Sequence, residues 1–395
     1  MNESRDCMLK SKIIILFLLL IAGSGVVAAP PGGEITTKIV PSESLAAALS
    51  TAEWTEVENC VDRALAWIAT QQAADGSFPT RPTAQPAVTS LCVLAFLSRG
   101  HQPGIGPYGT QLNHAVDFVL DCQMPDGLFS YETPEPVFTL GGPSYTASYN
   151  HAIAGLMLGE VFGHVTGPRS RKVKQALQKA LQYTLNLQAR PKKYINDRGG
   201  WRYLRIQAPP IDADSDLSVT GWQLMFLRSA RNAEFKVPQE NIDDAMDYIH
   251  RAWNPQIGMF HYEISTSQSD RYSRGLMGSA ILSLSLGGQH HSTEAQAAGD
   301  WLLAHPFRNF GEQVGGSDRF FYSTYYCSQA AAQLGGHYWT GIFPPIAGIL
   351  LKIQQSDGSF PLENRNDGVF GPAYSTAMAV LSLTPAYQIL PVYQR

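Results

Sequence analysis

A short turn motif recurs along the chain and constrains its fold more than any other feature. The motif reads Gln-x-x-Asp-Gly-x-Phe at residues 72–78, 123–129 and 354–360, and residues 254–260 carry a variant that begins with Asn254. The first two copies lie about fifty residues apart and the last two about one hundred, and such a period is typical of repeat proteins. Because each unit of a repeat protein buries its apolar surface only against its neighbours, all copies are expected to share one core.

Two kinds of predicted helix alternate between these turns. The first kind is amphipathic, as in residues 170–187, and the second is rich in Ala, Gly, Ser and Thr and apolar around its whole circumference. Helices of the second kind are predicted at residues 88–97, 150–158, 219–227, 278–286, 328–334 and 375–383. A helix that is apolar all round is buried. The sequence therefore predicts six helix pairs, in which one ring of helices faces water and the other is enclosed.

The first residues carry the pattern of a signal peptide. Arg5, Lys10 and Lys12 precede an apolar run at residues 13–22, and small residues occupy positions 27–29. This order predicts a signal peptide over residues 1–29 and an exported protein, secreted or periplasmic. An uncleaved membrane anchor is the alternative, although the apolar stretch falls just short of the roughly 18 to 20 residues that span a bilayer. Residues 30–49 are predicted to be a linker, and residues 50–395 the six repeats.

Charge and cysteine content limit the expected partners and cofactors. The chain carries a net charge of -4 and has no basic cluster beyond residues 169–174, so nucleic acid is not an expected partner. No cysteine pair has the spacing of a zinc site, and neither a metal nor another cofactor is expected. Export permits one disulfide. Cys92 and Cys122 are predicted at the same end of the structure, so this pair is expected to approach within bonding distance while Cys60 stays unpaired.

The helix pairs and their turns resemble the QW repeat of squalene-hopene and oxidosqualene cyclases and the related repeat of protein prenyltransferase β subunits. This resemblance implies an all-α fold, an (α/α)6 toroid. The motif tryptophan is kept only at Trp201, after Gly200, whereas the other turns carry phenylalanine. More narrowly, residues 199–203, 212–228 and 325–330 resemble exported bacterial proteins with prenyltransferase/squalene-oxidase-type repeats. That second resemblance implies no particular reaction.

Three acidic residues just before the third enclosed helix are candidate catalytic residues: Asp212, Asp214 and Asp216. Hopene cyclases protonate an alkene with the middle aspartate of a D-x-D-D-T-A motif, and the resemblance implies a similar role for one of these acids. Neither alignment of the motif is intact. One alignment places Ser218 at the proton-donor position, and the other keeps Asp214 there but lacks the last aspartate. Binding of a ligand and capping of the following helix are the alternative roles.

Aromatic and charged residues crowd the loops that precede the enclosed helices. The candidate ligand-binding residues are Trp201, Arg202, Tyr203, Asp318, Arg319, Phe321, Tyr322, Tyr325 and Tyr326. Because each enclosed helix begins where such a loop ends, these side chains are expected to gather at one mouth of the ring. A mouth of this kind suits an isoprenoid, a cation or a sugar. The alternative is that many of the aromatic side chains only pack between helices.

Several functions remain after this comparison. A zinc prenyltransferase is not expected, because Asp318 and Cys327 are too far apart for its D-x-C element. Residues 311–313 resemble the end of the GCGEQ thioester motif, but Phe310 occupies the position of its cysteine, so thioester chemistry is excluded. We expect a toroid that holds a hydrophobic or isoprenoid-like ligand in an aromatic and acidic central cavity. A glycan-active enzyme is the first alternative, with one of the three aspartates paired with Glu263 or Asp318. A non-catalytic interaction scaffold is the second. Catalysis and the oligomeric state stay open.

Overall fold

The computed structural model describes residues 40–204, 213–265, 272–315, 318–364 and 366–394. Regular structure in these ranges is almost entirely α-helical. The helices are α1 (Glu43–Ala46), α2 (Thr51–Thr70), α3 (Ala87–Ser98), α4 (Gly109–Asp121), α5 (Pro143–Val161), α6 (Gly167–Gln188), α7 (Leu217–Asn232), α8 (Gln239–Arg251), α9 (Arg274–Leu286), α10 (Thr293–Ala304), α11 (Phe320–Leu334), α12 (Gly336–Ile353) and α13 (Pro372–Leu383). Two short antiparallel strands, β1 (Trp253–Asn254) and β2 (Met259–Phe260), form a hairpin between α8 and α9.

Six helices form a closed inner ring. They are α3, α5, α7, α9, α11 and α13, and each packs against the next, with α13 returning to pack against α3. The outer helices cover the joints between inner neighbours: α2 packs against α13 and α3, α6 against α5 and α7, and α10 against α9 and α11. This arrangement confirms the predicted all-α toroid of six helix pairs. All six helices that were predicted to be enclosed lie in the inner ring.

The two rings follow from the two sequence patterns. Every residue of α3 is buried, because its neighbours in the ring and the outer helices surround it on all sides. In α6, by contrast, burial recurs at the three- and four-residue spacing of one helix face, for example at Val173, Leu177 and Leu181. The outer helices therefore place one face against the inner ring and the other in water.

The glutamine of each turn motif joins two consecutive outer helices. Gln72, at the end of α2, donates from Nε2 to the carbonyl of Gly76 in its own turn at 3.0 Å and to the carbonyl of Gln111 in α4 at 2.9 Å. Three other glutamines make the same pair of hydrogen bonds: Gln123 to Gly127 and Ala176, Gln188 to Gly199 and Asn241, and Gln354 to Gly358 and Cys60. Since Cys60 belongs to α2, the last bridge connects the sixth repeat to the first.

The third and fourth turns depart from this pattern in different ways. Gln188 makes the bridge although eleven residues separate it from Gly199, an insertion that hides this copy of the motif in the sequence. Asn254 has a shorter side chain, and its amide contacts Nε2 of His261 at 3.0 Å instead.

The glycine of the motif allows the turn to touch the next outer helix. Gly358 has φ of +95°, and a Cβ atom built on it would lie 2.5 Å from the carbonyl oxygen of Arg63 in α2. The equivalent glycines at 76, 127 and 199 also have positive φ and meet a backbone carbonyl at 1.9 to 2.5 Å. Real Cβ atoms are not found at such distances, so glycine is required for steric as well as conformational reasons.

The last residue of the motif anchors the turn to the inner ring. The phenyl ring of Phe360 is buried, and its backbone N–H donates to Oγ1 of Thr376 in α13 at 3.1 Å. Trp201 is similarly buried and donates its backbone N–H to Oγ1 of Thr220 in α7 at 3.0 Å. The turn therefore determines where the following inner helix sits.

The C-terminal tail closes one end of the ring. The carbonyl of Tyr393 accepts from Nε2 of Gln333 in α11 at 2.7 Å, and the backbone N–H of Val392 donates to Oε2 of Glu160 in α5 at 3.2 Å. Both partners lie near the C-terminal ends of their helices, and both tail residues are buried. The opposite end of the ring, where the inner helices begin, is not covered by this tail.

The predicted N-terminal segments are described only in part. The signal peptide at residues 1–29 and residues 30–39 of the linker lie outside the described residues. In residues 40–49, the carbonyl of Leu45 accepts from Nε1 of Trp339 at 2.7 Å, and that of Ala46 accepts from Nε1 of Trp54 at 2.8 Å. Within the described ranges, no helix combines the length and the apolar character needed to cross a membrane.

The predicted disulfide between Cys92 and Cys122 is wrong. Both residues are free, buried thiols, as are Cys60 and Cys327. Cys92 lies in the inner helix α3, and its Sγ contacts the carbonyl of Ala373 in α13 at 3.8 Å. Cys122 caps the end of the outer helix α4. The prediction considered only where the two residues lie along the axis of the ring. Cys92 lies on the side of α3 that faces α13, so its thiol points to the neighbouring inner helix.

Replacement of Gly358 tests the close contact between turn and outer helix. Gly358→Ala is expected to reduce the free energy of unfolding by about 2 kcal/mol more than Gly106→Ala, because only the first substitution overpacks a backbone contact. Gly106 is the matched control, since it has φ of +71° but a Cβ atom added to it would meet no neighbouring atom within 4 Å. Equal losses for the two variants in urea denaturation would show that positive φ, and not the contact, requires the glycine.

Glu160 predicts a pH dependence of stability. Burial raises the pKa of its carboxyl group to about 7, although the hydrogen bonds from Ser229 and Val392 act in the opposite direction. The folded state thus binds this proton more tightly than the unfolded state, and the stabilisation is present below about pH 4 and lost as the pH rises to about 7. The loss should amount to about 3 kcal/mol. Glu160→Gln should lack this loss of stability. Unfolding free energies that change equally with pH in the two proteins between pH 4 and pH 8 would contradict this expectation.

Candidate functional site

A cavity of about 230 Å³ lies at the end of the ring where the inner helices begin. Each inner helix contributes at least one residue from its first turn. These residues are Val88 of α3, Tyr145 of α5, Ser218 of α7, Leu276 of α9, Tyr322 of α11 and Tyr374 of α13. Loop residues before these helices complete the lining, among them Tyr203, Tyr262 and Phe370. Closure of the inner ring therefore creates the cavity directly.

Aromatic and aliphatic side chains form most of its wall. The aromatic residues are Tyr145, Tyr149, Tyr203, Trp222, Tyr262, Tyr272, Tyr322, Phe370 and Tyr374. They contact one another, as the rings of Tyr145 and Tyr203 do at 4.2 Å between centroids. Leu91, Ile153 and Met378 supply aliphatic surface. Such a wall favours an apolar ligand, since most polar groups of a ligand would find no partner on it.

Hydroxyl groups provide one part of the polar surface of the wall. The hydroxyls of Tyr203 and Tyr262 are 2.7 Å apart and share a hydrogen bond. The hydroxyl of Tyr149 donates to Oγ of Ser218 at 3.3 Å, and Oγ of Ser218 is 2.7 Å from the hydroxyl of Tyr322. These groups are neutral, so they add hydrogen-bonding capacity without adding charge.

A buried ionic group lies against the tyrosines of the wall. The Nη1 atom of Arg202 is 2.8 Å from Oε2 of Glu263 and 3.6 Å from Oδ2 of Asp216. The guanidinium also lies over the rings of Tyr203 and Tyr262, at 5.0 and 5.7 Å from their centroids. Arg202, Asp216 and Glu263 do not line the cavity, and the two carboxylates are fully buried. The group thus supports the wall from the protein side.

Asp216 combines this ion pair with a helix cap. Its Oδ1 atom accepts from the backbone N–H of Val219 at 2.8 Å, at the N-terminus of α7. Burial raises the pKa of its carboxyl group to about 6, while the Arg202 guanidinium acts to lower it. The capping role that the sequence offered as an alternative is therefore present in the structure.

A second ionic pair lies in the cavity itself. Among the described residues of the lining, Arg319 is the one cation and Asp367 the one carboxylate, and they form an ion pair with each other. Asp367 also accepts from the hydroxyl of Tyr374 at 2.7 Å. The carboxylate raises the pKa of Arg319, so this guanidinium stays charged. The pair leaves the wall with little net charge at this point.

The structure separates the candidate residues into groups. Tyr203, Arg319 and Tyr322 line the cavity, and Arg202 and Asp216 lie next to lining residues as described above. Tyr325 and Tyr326 form a layer beneath the wall, where both pack against Trp222 with ring centroids 5.6 and 5.5 Å away. The structure therefore brings five of the candidate residues together at one end of the ring: Tyr203, Arg319, Tyr322, Arg202 and Asp216.

Other candidates lie away from the cavity. Asp318 is buried in an ion pair with Nε of Arg274 at 2.7 Å, and Asp214 accepts from the backbone N–H of Lys193. Trp201 is the buried aromatic residue of the third turn, and Phe321 is buried among the phenylalanines at 310, 320 and 360. Asp212 lies outside the described residues. In the described part of the chain, no group of three or more His, Cys, Asp and Glu side chains is placed to hold a metal ion.

Asp367 and Trp222 were not among the candidates. Asp367 lies five residues before the inner helix α13, whereas Asp216 and Asp318 lie one and two residues before α7 and α11. The signal that could have found it is its place in a loop that leads into an inner helix. Trp222 carries no such signal, because a tryptophan within an apolar helix is also expected when it serves only for packing.

Comparisons with known proteins agree with this fold. No family model matches the sequence, and no curated protein matches it significantly. The type II terpene cyclase MstE from Scytonema is similar in structure, with a TM-score of 0.52 and 15% identity over 85% of this chain and 100% of that chain. An MstE variant in complex with geranylgeranyl dihydroxybenzoate gives a TM-score of 0.51 and 16% identity over 87% and 100%.

A glycan hydrolase has the same fold. The alpha-1,6-mannanase from Salegentibacter is similar with a TM-score of 0.55 and 13% identity over 85% of this chain and 99% of that chain. At these identities the likeness concerns the fold alone. The chain therefore has a terpenoid-cyclase-like α/α toroid, a fold shared by proteins that act on an isoprenoid and on a polysaccharide.

Removal of Arg202 tests the buried ionic group. Arg202→Met should cost about 3 to 5 kcal/mol of unfolding free energy, because it leaves Asp216 and Glu263 buried without their cation. Arg169→Met is the control, since its pair with Asp117 is partly exposed and should contribute less than about 1 kcal/mol. The deficit of Arg202→Met should shrink as the pH falls below about 6, because burial raises the pKa of Asp216 to about that value and protonation of this carboxylate removes its negative charge. A pH-independent deficit in denaturation experiments would contradict the ionic explanation.

Proposed function

We propose that the cavity binds a hydrophobic, isoprenoid-like ligand. The observation that carries the proposal is the nearly continuous aromatic and aliphatic wall, to which all six inner helices contribute. Aromatic rings offer large apolar surfaces and attract the polarisable double bonds of an isoprenoid chain by dispersion and by their quadrupoles. Tyr203, Tyr322 and Arg319 are the proposed contact residues. Arg202 and Asp216 are proposed as positioning residues that hold Tyr203 and Tyr262.

The size of the cavity limits the ligand. A volume of about 230 Å³ is about one and a half times the roughly 150 Å³ of an apolar protein cavity that binds benzene, a molecule of six carbon atoms. The enclosed part of the ligand is therefore a short isoprenoid unit of about ten carbon atoms, or one end of a longer chain whose remainder leaves through the mouth.

A glycan-active enzyme is less well supported by the described residues. Glycoside hydrolysis needs two carboxyl groups that face the substrate, roughly 5 to 9.5 Å apart. Asp367 lines the cavity but is paired with Arg319, and Asp216 and Glu263 are buried with Arg202 outside the lining. The mannanase neighbour nevertheless makes an oligomannoside the natural competing ligand. An interaction scaffold without a ligand is disfavoured because side chains do not fill the cavity.

We further propose that the protein acts outside the cytoplasm. The support is the basic, apolar and small-residue order of residues 1–29, which is typical of a signal peptide. The bulk charge of the chain, which is mildly acidic, argues against nucleic acid as a partner.

Filling the cavity tests the proposed binding site. Ile153→Trp adds an indole to the wall and should weaken the binding of geraniol at least about tenfold in calorimetric titration, because the substitution removes ligand volume. Ile195→Trp makes the same change at a surface position that is 80% exposed, and should bind like the wild type. Melting curves of both variants establish that they are folded.

Two results would oppose the proposal. If the wild-type protein binds mannotetraose and not geraniol, the glycan alternative replaces it. If Ile153→Trp binds geraniol as tightly as Ile195→Trp does, the ligand occupies a different part of the protein.

A further inference from the structure

Three hydroxyl groups from three different inner helices meet on the cavity wall. Tyr149 comes from α5, Ser218 from α7 and Tyr322 from α11, and all three line the cavity. Their oxygens are joined in series, at 3.3 Å between Tyr149 and Ser218 and 2.7 Å between Ser218 and Tyr322. We refer to these three groups as the hydroxyl cluster. Helices far apart in sequence are needed to assemble it, so local packing within one helix does not account for its presence.

A count of protons shows that the cluster can donate to a ligand. Three hydroxyl groups carry three protons, and the two bonds within the series use two of them. Tyr149 donates to Ser218. If Ser218 donates to Tyr322, the Tyr322 proton remains, and if Tyr322 donates to Ser218, the Ser218 proton remains. In either case one O–H group on a cavity-lining residue is left to point away from the series.

The hydroxyl cluster remains protonated near neutral pH. Burial raises the pKa of both Tyr149 and Tyr322 above the ordinary value of a tyrosine. The negative charge of Asp216 acts in the same direction on both phenols. The cluster is therefore a set of neutral donors and acceptors.

The charges around the cluster favour a neutral oxygen in the ligand. Asp216 precedes Ser218 by two residues and belongs to the buried group of two carboxylates and one guanidinium, whose excess of negative charge would repel an anionic group placed at the cluster. Arg319, the one cation among the described lining residues, is engaged by Asp367. A hydroxyl or carbonyl oxygen accepts the available proton without bringing a charge into the cavity, whereas a pure hydrocarbon leaves that O–H group without a partner.

We propose that the cavity selects an oxygenated isoprenoid, an alcohol or a carbonyl compound, whose oxygen accepts a hydrogen bond from the hydroxyl cluster while its chain lies on the aromatic wall. This inference rests on the proposed function and adds the chemical class of the ligand. It also assigns Ser218 a role in specificity, because Ser218 is the member that touches both tyrosines.

The test compares geraniol with the corresponding hydrocarbon that lacks the hydroxyl group. The wild-type protein should bind geraniol about tenfold more tightly, which is the ratio expected from one hydrogen bond in a buried site. The triple variant Tyr149→Phe/Ser218→Ala/Tyr322→Phe, which removes all three hydroxyl groups of the cluster, should bring this ratio close to one while it retains affinity for the hydrocarbon. Ser285→Ala and Tyr338→Phe are the matched controls, since they remove a hydroxyl group outside the cavity and should keep the ratio.

Each outcome has a distinct meaning. A wild-type protein that binds both compounds equally, or a folded triple variant that keeps the preference, overturns the inference and leaves the proposed function intact. A protein that binds neither compound overturns both. The comparison of the two compounds on the wild-type protein needs no substitution, so it preserves the test if the triple variant does not fold.

Discussion

The turn glutamine provides the interaction on which the ring depends. The amide nitrogen of Gln354 donates to the carbonyl of its own turn and to that of Cys60, and three other glutamines repeat this pair of bonds. Each amide therefore gives a donor to a carbonyl of its own turn and adds a second hydrogen bond to a carbonyl of the next outer helix, which fixes the contact between the two. The bond to Cys60 joins the last repeat to the first. A repeat array that would otherwise have two open ends thereby becomes a closed ring.

Much of the fold could be predicted from the sequence because its signals are local. The Asp-Gly turn and a helix that is apolar on all sides can each be recognised within a single repeat. The structure has turns and inner helices at the positions predicted from them. Gln188 shows the limit, since its turn is interrupted by an insertion before Gly199 and only the shared pair of hydrogen bonds identifies it. Cys92 shows another limit. Its sequence position predicted where it lies along the axis of the ring, but the direction of its thiol depends on how the inner helices pack.

The candidate site was less predictable because ion pairs join distant segments. Asp318 and Asp367 both lie in segments that lead into an inner helix, yet only Asp367 lines the cavity. The difference is Arg274, which lies 44 residues before Asp318 and holds its carboxylate in the protein interior. The sequence contains no local sign of this pairing. Tyr203 and Tyr322, by contrast, were expected at the mouth, because a residue in the loop before an inner helix or in its first turn belongs to the end of the ring where the inner helices begin.

The loops between turn and inner helix differ in length among the repeats of this ring. The turn motif fixes the chain at one point, through Phe360 in the last repeat, and the inner helix fixes it again. Between these two points the length differs, since α3 begins nine positions after Phe78 and α7 sixteen positions after Trp201. Tyr203, Tyr262 and Phe370 all come from such segments. Substitutions at these three positions alter the wall of the cavity and leave the amide bridges in place. A toroid of this kind can thus keep its fold while its loops determine whether the mouth accepts an isoprenoid or a sugar.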